Sequence, residues 1–185
     1  MKTALVVYAD GTEDIEVTAT ADVLARGGVK VTRAAVNTTG DLTVKLAHGT
    51  KVECDIHISD CQEDYDLIAV PGGLPGAEYC RDNKDLTELL KTQHANKRYI
   101  GAICAAPGFV LATHKIITSG KATGYPGCEK GIANYTGKGV EIDEENRIIT
   151  GKGPGYALEF GVALLEALMG PEIANRVAAG MLMRE

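Results

Sequence analysis

Short apolar runs alternate with longer amphipathic stretches along nearly the whole chain, and this alternation most constrains its fold. A short apolar run bounded by turn residues reads as a strand buried on both faces, and such a strand needs helices to cover it. Thr3 to Tyr8, Val29 to Val36, Asp66 to Val70 and Arg98 to Ile103 are runs of this kind. Between them the pattern predicts helices over Glu13 to Arg26, stopped by Gly27-Gly28, over Asn83 to Asn96, and from Cys104 through Ala112. Residues 40 to 60 alternate Leu42, Val44 and Leu46, then Val52, Ile56 and Ile58, as a hairpin excursion. Further on, the chain predicts a short strand over Lys121 to Tyr125, a helical turn near 127–134, and strands near 139–142 and 147–150. A helix over Tyr156 to Met169 places Leu158, Gly161/Val162, Leu165 and Leu168/Met169 on one face, and Pro171 opens a last short helix. The expected fold class is α/β: a single-domain, doubly wound, mostly parallel sheet sandwiched by helices, flavodoxin-like, over residues 1–185. No Pro/Ser-rich linker and no internal repeat divides it.

Composition removes several classes of function. With 19 Lys+Arg against 25 Asp+Glu the net charge is −6, which argues against binding nucleic acid through phosphates. Trp is absent and Phe occurs twice, so stacking platforms for bases are lacking. The apolar stretch before Asp10 is too short for a signal sequence or a membrane span, and the run Ile100 to Ala112 is broken by Gly101, Pro107 and Gly108. A cytoplasmic protein without nucleic-acid or membrane partners is expected. The five cysteines are odd in number and form no C-x-x-C, so neither a disulfide framework nor a structural metal is expected. There is no P-loop and no G-x-G-x-x-G after the first strand, where Asp10-Gly-Thr-Glu-Asp14 would repel a pyrophosphate. The two serines, Ser59 and Ser119, lie outside any G-x-S-x-G, and the histidines form no H-E-x-x-H.

Cys104 remains. It ends the apolar run Tyr99 to Ile103 and precedes Ala105-Ala106-Pro107, and Pro suits the first turn of a helix. Small neighbours leave room for a tight strand-to-helix turn, a nucleophile elbow, with the thiol at a helix N-terminus where free N–H groups favour a thiolate. It is also the carboxyl end of a parallel strand, where open α/β sheets place their crevices. A buried, inert small hydrophobe is the alternative reading. Pro71-Gly72-Gly73 ends a neighbouring strand and could bring backbone N–H groups close to a reacting atom. Gly151-Lys-Gly-Pro154-Gly155 could line the same crevice. Glu13, Asp14 and Glu16 form an acidic first turn, with Glu13 and Glu16 on a shared face.

Five segments taken together resemble the ThiJ/PfpI superfamily, in its branch of Parkinson-disease-associated protein deglycases and their bacterial relatives. They are Ala4-Leu-Val-Val with Gly11-Thr-Glu-Asp-Ile-Glu16, Asp22-Val-Leu-Ala-Arg-Gly-Gly28, Val70-Pro-Gly-Gly-Leu-Pro-Gly-Ala77, Ile103-Cys-Ala-Ala-Pro107 and Ile149-Thr-Gly-Lys-Gly-Pro-Gly155. The resemblance implies that Cys104 is a nucleophilic, oxidation-sensitive cysteine and that Glu16 contacts its thiol. It implies oxyanion-stabilising positions at Gly73 and the N–H of Ala105, and a homodimer with the first helix at the interface. Gly72, Tyr125, Pro154 and His48 are pocket candidates, His48 reaching a neighbouring subunit's site. Two departures are visible: Tyr125 stands where many glyoxalase-active members carry His, and Ala105 stands where the peptidase branch has His. No histidine follows His114, so the His-x-Glu of glutamine amidotransferases is missing as well.

Two functions follow from the resemblance. One is cofactor-free chemistry on reactive dicarbonyls, methylglyoxal to lactate, or the same steps on glycated protein side chains, without metal, glutathione or nucleotide. The other is a redox-sensing, chaperone-like stress protein whose Cys104 is oxidised to sulfinic acid.

Overall fold

The computed structural model describes residues 1–37 and 39–183. The elements in chain order are β1 (Thr3–Ala9), α1 (Asp14–Arg26), β2 (Lys30–Val36), β3 (Thr43–Lys45), β4 (Lys51–Glu53), β5 (Ile56–His57), β6 (Leu67–Val70), α2 (Gly76–Asp82) and α3 (Lys84–Ala95). They continue with β7 (Tyr99–Ile103), a π-helical turn (Pro107–Ala112), β8 (Lys121–Ala122), β9 (Asn134–Tyr135), β10 (Val140–Asp143), β11 (Ile148–Gly151), α4 (Ala157–Met169) and α5 (Pro171–Gly180). Among the described residues the main sheet has the order β10-β11-β7-β6-β1-β2-β5. Every pairing in it is parallel except β10 with β11. The expected α/β sandwich is therefore the observed one.

The pleat of β1 explains the two layers. Ala4, Val6 and Tyr8 face one core with α1, α4 and α5, while Leu5, Val7 and Ala9 face the other with α3 and the π-helical turn. Both faces are buried, which is why β1 and β6 read as unbroken apolar runs rather than alternating ones. On the first face α4 packs so closely that a Cβ added to Gly161 would come within 3.1 Å of Val23 of α1. One on Gly101 of β7 would come within 2.8 Å of Leu164.

Several expectations are corrected. The buried face of α4 is Ala157, Phe160, Gly161, Leu164, Leu165 and Leu168, whereas Leu158 is exposed. Leu158 lies nearly in line with buried Leu165 two turns later, so its exposure comes from its place in the first turn of α4 and not from its face. The excursion at 40–60 is a hairpin only over β3 and β4; Ile56 joins the main sheet beside β2, and Ile58 lies in a 3₁₀ turn. The strand expected to reach Tyr125 stops at Ala122, because the chain turns under the Cys104 segment to bond with its carbonyl. Residues 127–133 form turns and irregular backbone rather than a helix, and β9 begins at Asn134. Helix α2 went unread because Leu74-Pro75-Gly76 resembles a turn, and its Pro75 is the residue that precedes the helix. The helix after Cys104 begins only at Pro107 and is π-wound.

Leu164 of α4 is buried against Gly101 of β7. Leu164→Ala should cost about 2–5 kcal/mol of stability by transfer and cavity terms, read from the urea midpoint with the slope unchanged.

Candidate functional site

Three parallel strands, β1, β6 and β7, end at one edge of the sheet, and the residues that follow them converge. Cys104 comes directly after β7 with φ +63°, the left-handed region that non-glycine residues avoid. Its backbone is held on both sides. The N–H donates to the carbonyl of Gly151 at 2.9 Å, and the Tyr125 N–H donates to the Cys104 carbonyl at 2.7 Å. Such a conformation costs on the order of 1–3 kcal/mol and persists only where the surroundings over-determine it. The tight turn at Cys104 is built by β11 and the loop after β8 as much as by the Ala-Ala-Pro that follows.

Glycines permit the approach of the β6 loop. A Cβ on Gly72 would lie 2.5 Å from the Cβ of Cys104 and 2.9 Å from the Ala105 nitrogen. Gly73 has φ +86°, and a Cβ there would lie 2.5 Å from both the Glu13 nitrogen and the Gly11 carbonyl oxygen. The backbone N–H groups of Gly73 and Ala105 consequently reach the Cys104 thiol as donors.

Glu16 enters from the first turn of α1 and is fully buried. Its Oε2 accepts the Gly72 N–H at 2.8 Å, and its own N–H donates to Oε2 of Glu13, the residue that caps α1, at 2.8 Å. Its Oε1 is buried without a hydrogen-bond partner. The carboxyl lies against the Cys104 thiol, outside strict hydrogen-bond geometry but close enough to couple to it in charge and by a weak S–H···O contact.

The electrostatics correct one expectation. The thiol does not lean toward thiolate while Glu16 is ionised. Burial first, then the Glu16 charge and its hydrogen bond, push Cys104 up to about 12, while the N–H groups of Gly73 and Ala105 pull the other way. Burial also pushes Glu16 from 4.5 up to about 7, against the Gly72 N–H, with Glu13 adding to the rise. The two groups compete for one proton. When Glu16 is protonated its repulsion disappears, leaving burial to oppose the thiolate and the two N–H donors to favour it.

The structure thus brings together Cys104, Glu16, Gly72, Gly73 and Ala105. Tyr125 joins them through its backbone; its half-exposed ring lies over Gly153, where a Cβ would be 3.3 Å from it, next to half-buried Pro154. His48 is not among them. It is exposed, its Nε2 is 3.8 Å from Glu13 Oε1, and its N–H donates to Asp14 Oδ2. Glu13, read from the sequence as part of an acidic first turn sharing a face with Glu16, is almost fully buried and caps α1. The other cysteines lie elsewhere: Cys54, Cys61 and Cys80 are buried, and burial raises their thiols. A cavity of about 670 Å³ lies beyond the ends of β1, β2 and β5 beside Asp10, His57, Tyr79 and Lys84, and Cys104 is not among its lining residues. Among the described residues no helix is long and apolar enough to cross a membrane.

Fold and site together define an α/β protein with a cysteine on a strained strand-to-helix turn beside a buried carboxyl. The chain belongs to the DJ-1/PfpI family, whose match covers residues 2–167. It is 40% identical over 186 residues to protein DJ-1 homolog A of Arabidopsis thaliana, covering 99% of this chain and 47% of that protein, so it spans about half the length of that relative. It is 38% identical over 179 residues to a Caenorhabditis elegans protein named glutathione-independent glyoxalase DJR-1.2, covering 94% of this chain and 92% of that one. The solved structure of oxidized Toxoplasma gondii DJ-1 matches with a TM-score of 0.95 at 38% identity, covering 100% of both chains.

Two outcomes are expected from this geometry. Gly72→Ala should displace the elbow, because the new methyl meets backbone on one side; alkylation of Cys104 should change in rate while far-UV dichroism is retained. The pH dependence follows from Glu16. Its folded-state value lies above its unfolded one, so the folded state gains stability that is fully present below about pH 4.5 and lost as pH rises through about 7. The loss is on the order of 3 kcal/mol. Glu16→Gln should remove this slope and be more stable than the parent at pH 8, measured by urea unfolding at pH 5 and pH 8.

Proposed function

We propose that this chain is a cofactor-free enzyme acting on small reactive dicarbonyls, with Cys104 as nucleophile and Glu16 as proton carrier in one domain formed by the chain. The observation that carries the reading is the buried Glu16 carboxyl, raised to about 7, against a thiol that also faces two backbone N–H donors. A catalytic acid–base is most effective when it titrates near the working pH.

The thiol proton passes to Glu16 as the sulfur adds to the aldehyde carbon of methylglyoxal; an S–C bond forms, the carbonyl π bond opens, and the aldehyde oxygen takes the proton from Glu16, giving a hemithioacetal and a Glu16 carboxylate. The carboxylate then removes the proton from that carbon and returns it to the neighbouring one while the hydroxyl proton moves to the neighbouring oxygen, so the first carbon is oxidised and the second reduced within one molecule. The product is a lactoyl thioester, which water cleaves to lactate and free thiol. The N–H groups of Gly73 and Ala105 stabilise the oxygen charge that develops beside the sulfur. The Tyr125 phenol offers a hydrogen bond to the distal carbonyl rather than a base. The same steps on a hemithioacetal of a glycated protein side chain are the deglycase form of the reaction. Exposed Ile15 on α1 supports a homodimer through that helix, and we place the protein in the cytoplasm.

A second reading is favoured by one atom. Glu16 Oε1 has no partner, and when protonated it can donate to an oxygen on an oxidised Cys104, which suits a redox-sensing role.

Lactate formed from methylglyoxal, without added metal or glutathione, tests the first reading. Cys104→Ser should abolish turnover and Glu16→Gln should lower kcat by about 10²-fold or more. If the parent forms no more lactate than Cys104→Ser, the enzyme reading fails, and peroxide titration followed by intact mass then reports whether Cys104 stops at sulfinic acid.

A further inference from the structure

A second cavity, which the mechanism above does not use, lies beside the π-helical turn that follows the elbow. It measures about 610 Å³ and is walled by the end of α2, by the π-helical turn and by the loop 127–131. That volume is ordinary for a small-molecule site. None of its lining residues belongs to α1, where the dimer is placed, and Cys104 is not among them.

Its walls are pinned. A Cβ on Gly108 of the π-helical turn would lie 1.8 Å from the Cys128 carbonyl oxygen, so the loop rests directly on the turn. At the other end Gly131 takes φ +89°, and a Cβ there would lie 3.2 Å from the Cβ of Ala112. The Cys128 N–H donates to the Tyr125 carbonyl at 2.9 Å, and the Tyr125 N–H donates in turn to the Cys104 carbonyl at 2.7 Å. On the α2 side, His114 Nε2 bonds the Arg81 carbonyl at 2.7 Å. The loop that walls the cavity is therefore the loop that holds the elbow, and the cavity is pre-formed.

The lining has one consistent chemistry. Its apolar surface is the half-buried ring of Phe109 with Ala112, and its charged residues are both cations, Arg81 and Lys130. The Arg81 guanidinium carbon is 5.9 Å from the Phe109 ring centroid, within reach of the ring face. Two acids adjoin the cavity without lining it. Asp82 accepts from Arg81 Nε at 2.7 Å and Nη2 at 2.8 Å, and Glu129 Oε2 accepts the Gly127 N–H. Lys130 is exposed and takes part in none of the ion pairs among the described residues. With Asp82 already neutralising Arg81, about one positive charge is left to satisfy. That matches a single carboxylate and not a polyphosphate, and the aromatic wall matches an apolar body attached to it.

We propose that this cavity binds a small aromatic monocarboxylate, its ring against Phe109 and Ala112 and its carboxylate toward Lys130 and Arg81. The site is separate from the Cys104 crevice and does not rest on the reading of Cys104 and Glu16. Cys128 lines it and, unlike the four other cysteines, is only partly buried, so it serves as a built-in reporter of occupancy.

Naphthoate is titrated calorimetrically into the full chain, against the neutral alcohol naphthalenemethanol. One equivalent of naphthoate should bind, and the alcohol should bind about tenfold more weakly. Lys130→Glu, at an exposed position, should weaken naphthoate by about tenfold. Ala112→Leu should abolish binding by filling the cavity. Bound naphthoate should also slow iodoacetamide alkylation of Cys128, read on its own peptide by mass. Absence of binding overturns the proposal, as does equal affinity for the alcohol or an unchanged affinity in Lys130→Glu. Protection of Cys104 without Cys128 places the probe in the elbow crevice and overturns it too. If Ala112→Leu fails to fold, Lys130→Glu and the Cys128 protection decide.

Discussion

The hydrogen bond from the Gly72 N–H to the buried Glu16 carboxyl is the contact on which the rest of the site depends. It joins the end of β6 to the start of α1 and draws an ionisable group into a core that would otherwise reject it. Burial raises Glu16 toward neutral pH, and the bond keeps it from rising further. The thiol of Cys104 then responds to the state of one neighbouring proton. A buried carboxyl raised to about 7, beside a thiol raised to about 12 in part by that carboxyl's charge, is the chemical content of the site.

The fold supplies the strain and the space this contact needs. Cys104 is held in a left-handed conformation by one bond from β11 and one from the Tyr125 amide. The glycines at 72 and 73 are required because any side chain there would occupy the position of Cys104, Ala105, Glu13 or Gly11. On the opposite face of the sheet, α3 and the π-helical turn bury the strands fully. The site therefore sits on a rigid edge, which is what a sub-ångström arrangement of donors demands. The DJ-1/PfpI family match, over residues 2–167, covers all of this frame.

The alternation of apolar runs and amphipathic helices, read along the chain, determined the α/β class and the parallel sheet, because each buried strand carries its own pattern and each helix its own stop. Cys104 between an apolar run and Ala-Ala-Pro, with Pro71-Gly72-Gly73 and the family resemblance, was enough to single out Cys104, Glu16, Gly73 and Ala105. Those signals are local, or are words in a shared motif. Tertiary structure decided the rest. Helix α2 hid behind Leu74-Pro75-Gly76, and Leu158 is exposed in the first turn of α4 although its periodicity aligns it with buried Leu165. The proton state of Cys104 ran opposite to the helix-terminus expectation, since the charge on Glu16 and burial outweigh the two N–H donors. His48 and Glu13 are far apart in sequence, and their pairing depends on where the β3–β4 turn lands. Periodicity is written residue by residue, but a pKa and a salt bridge depend on distances between segments that only folding brings together.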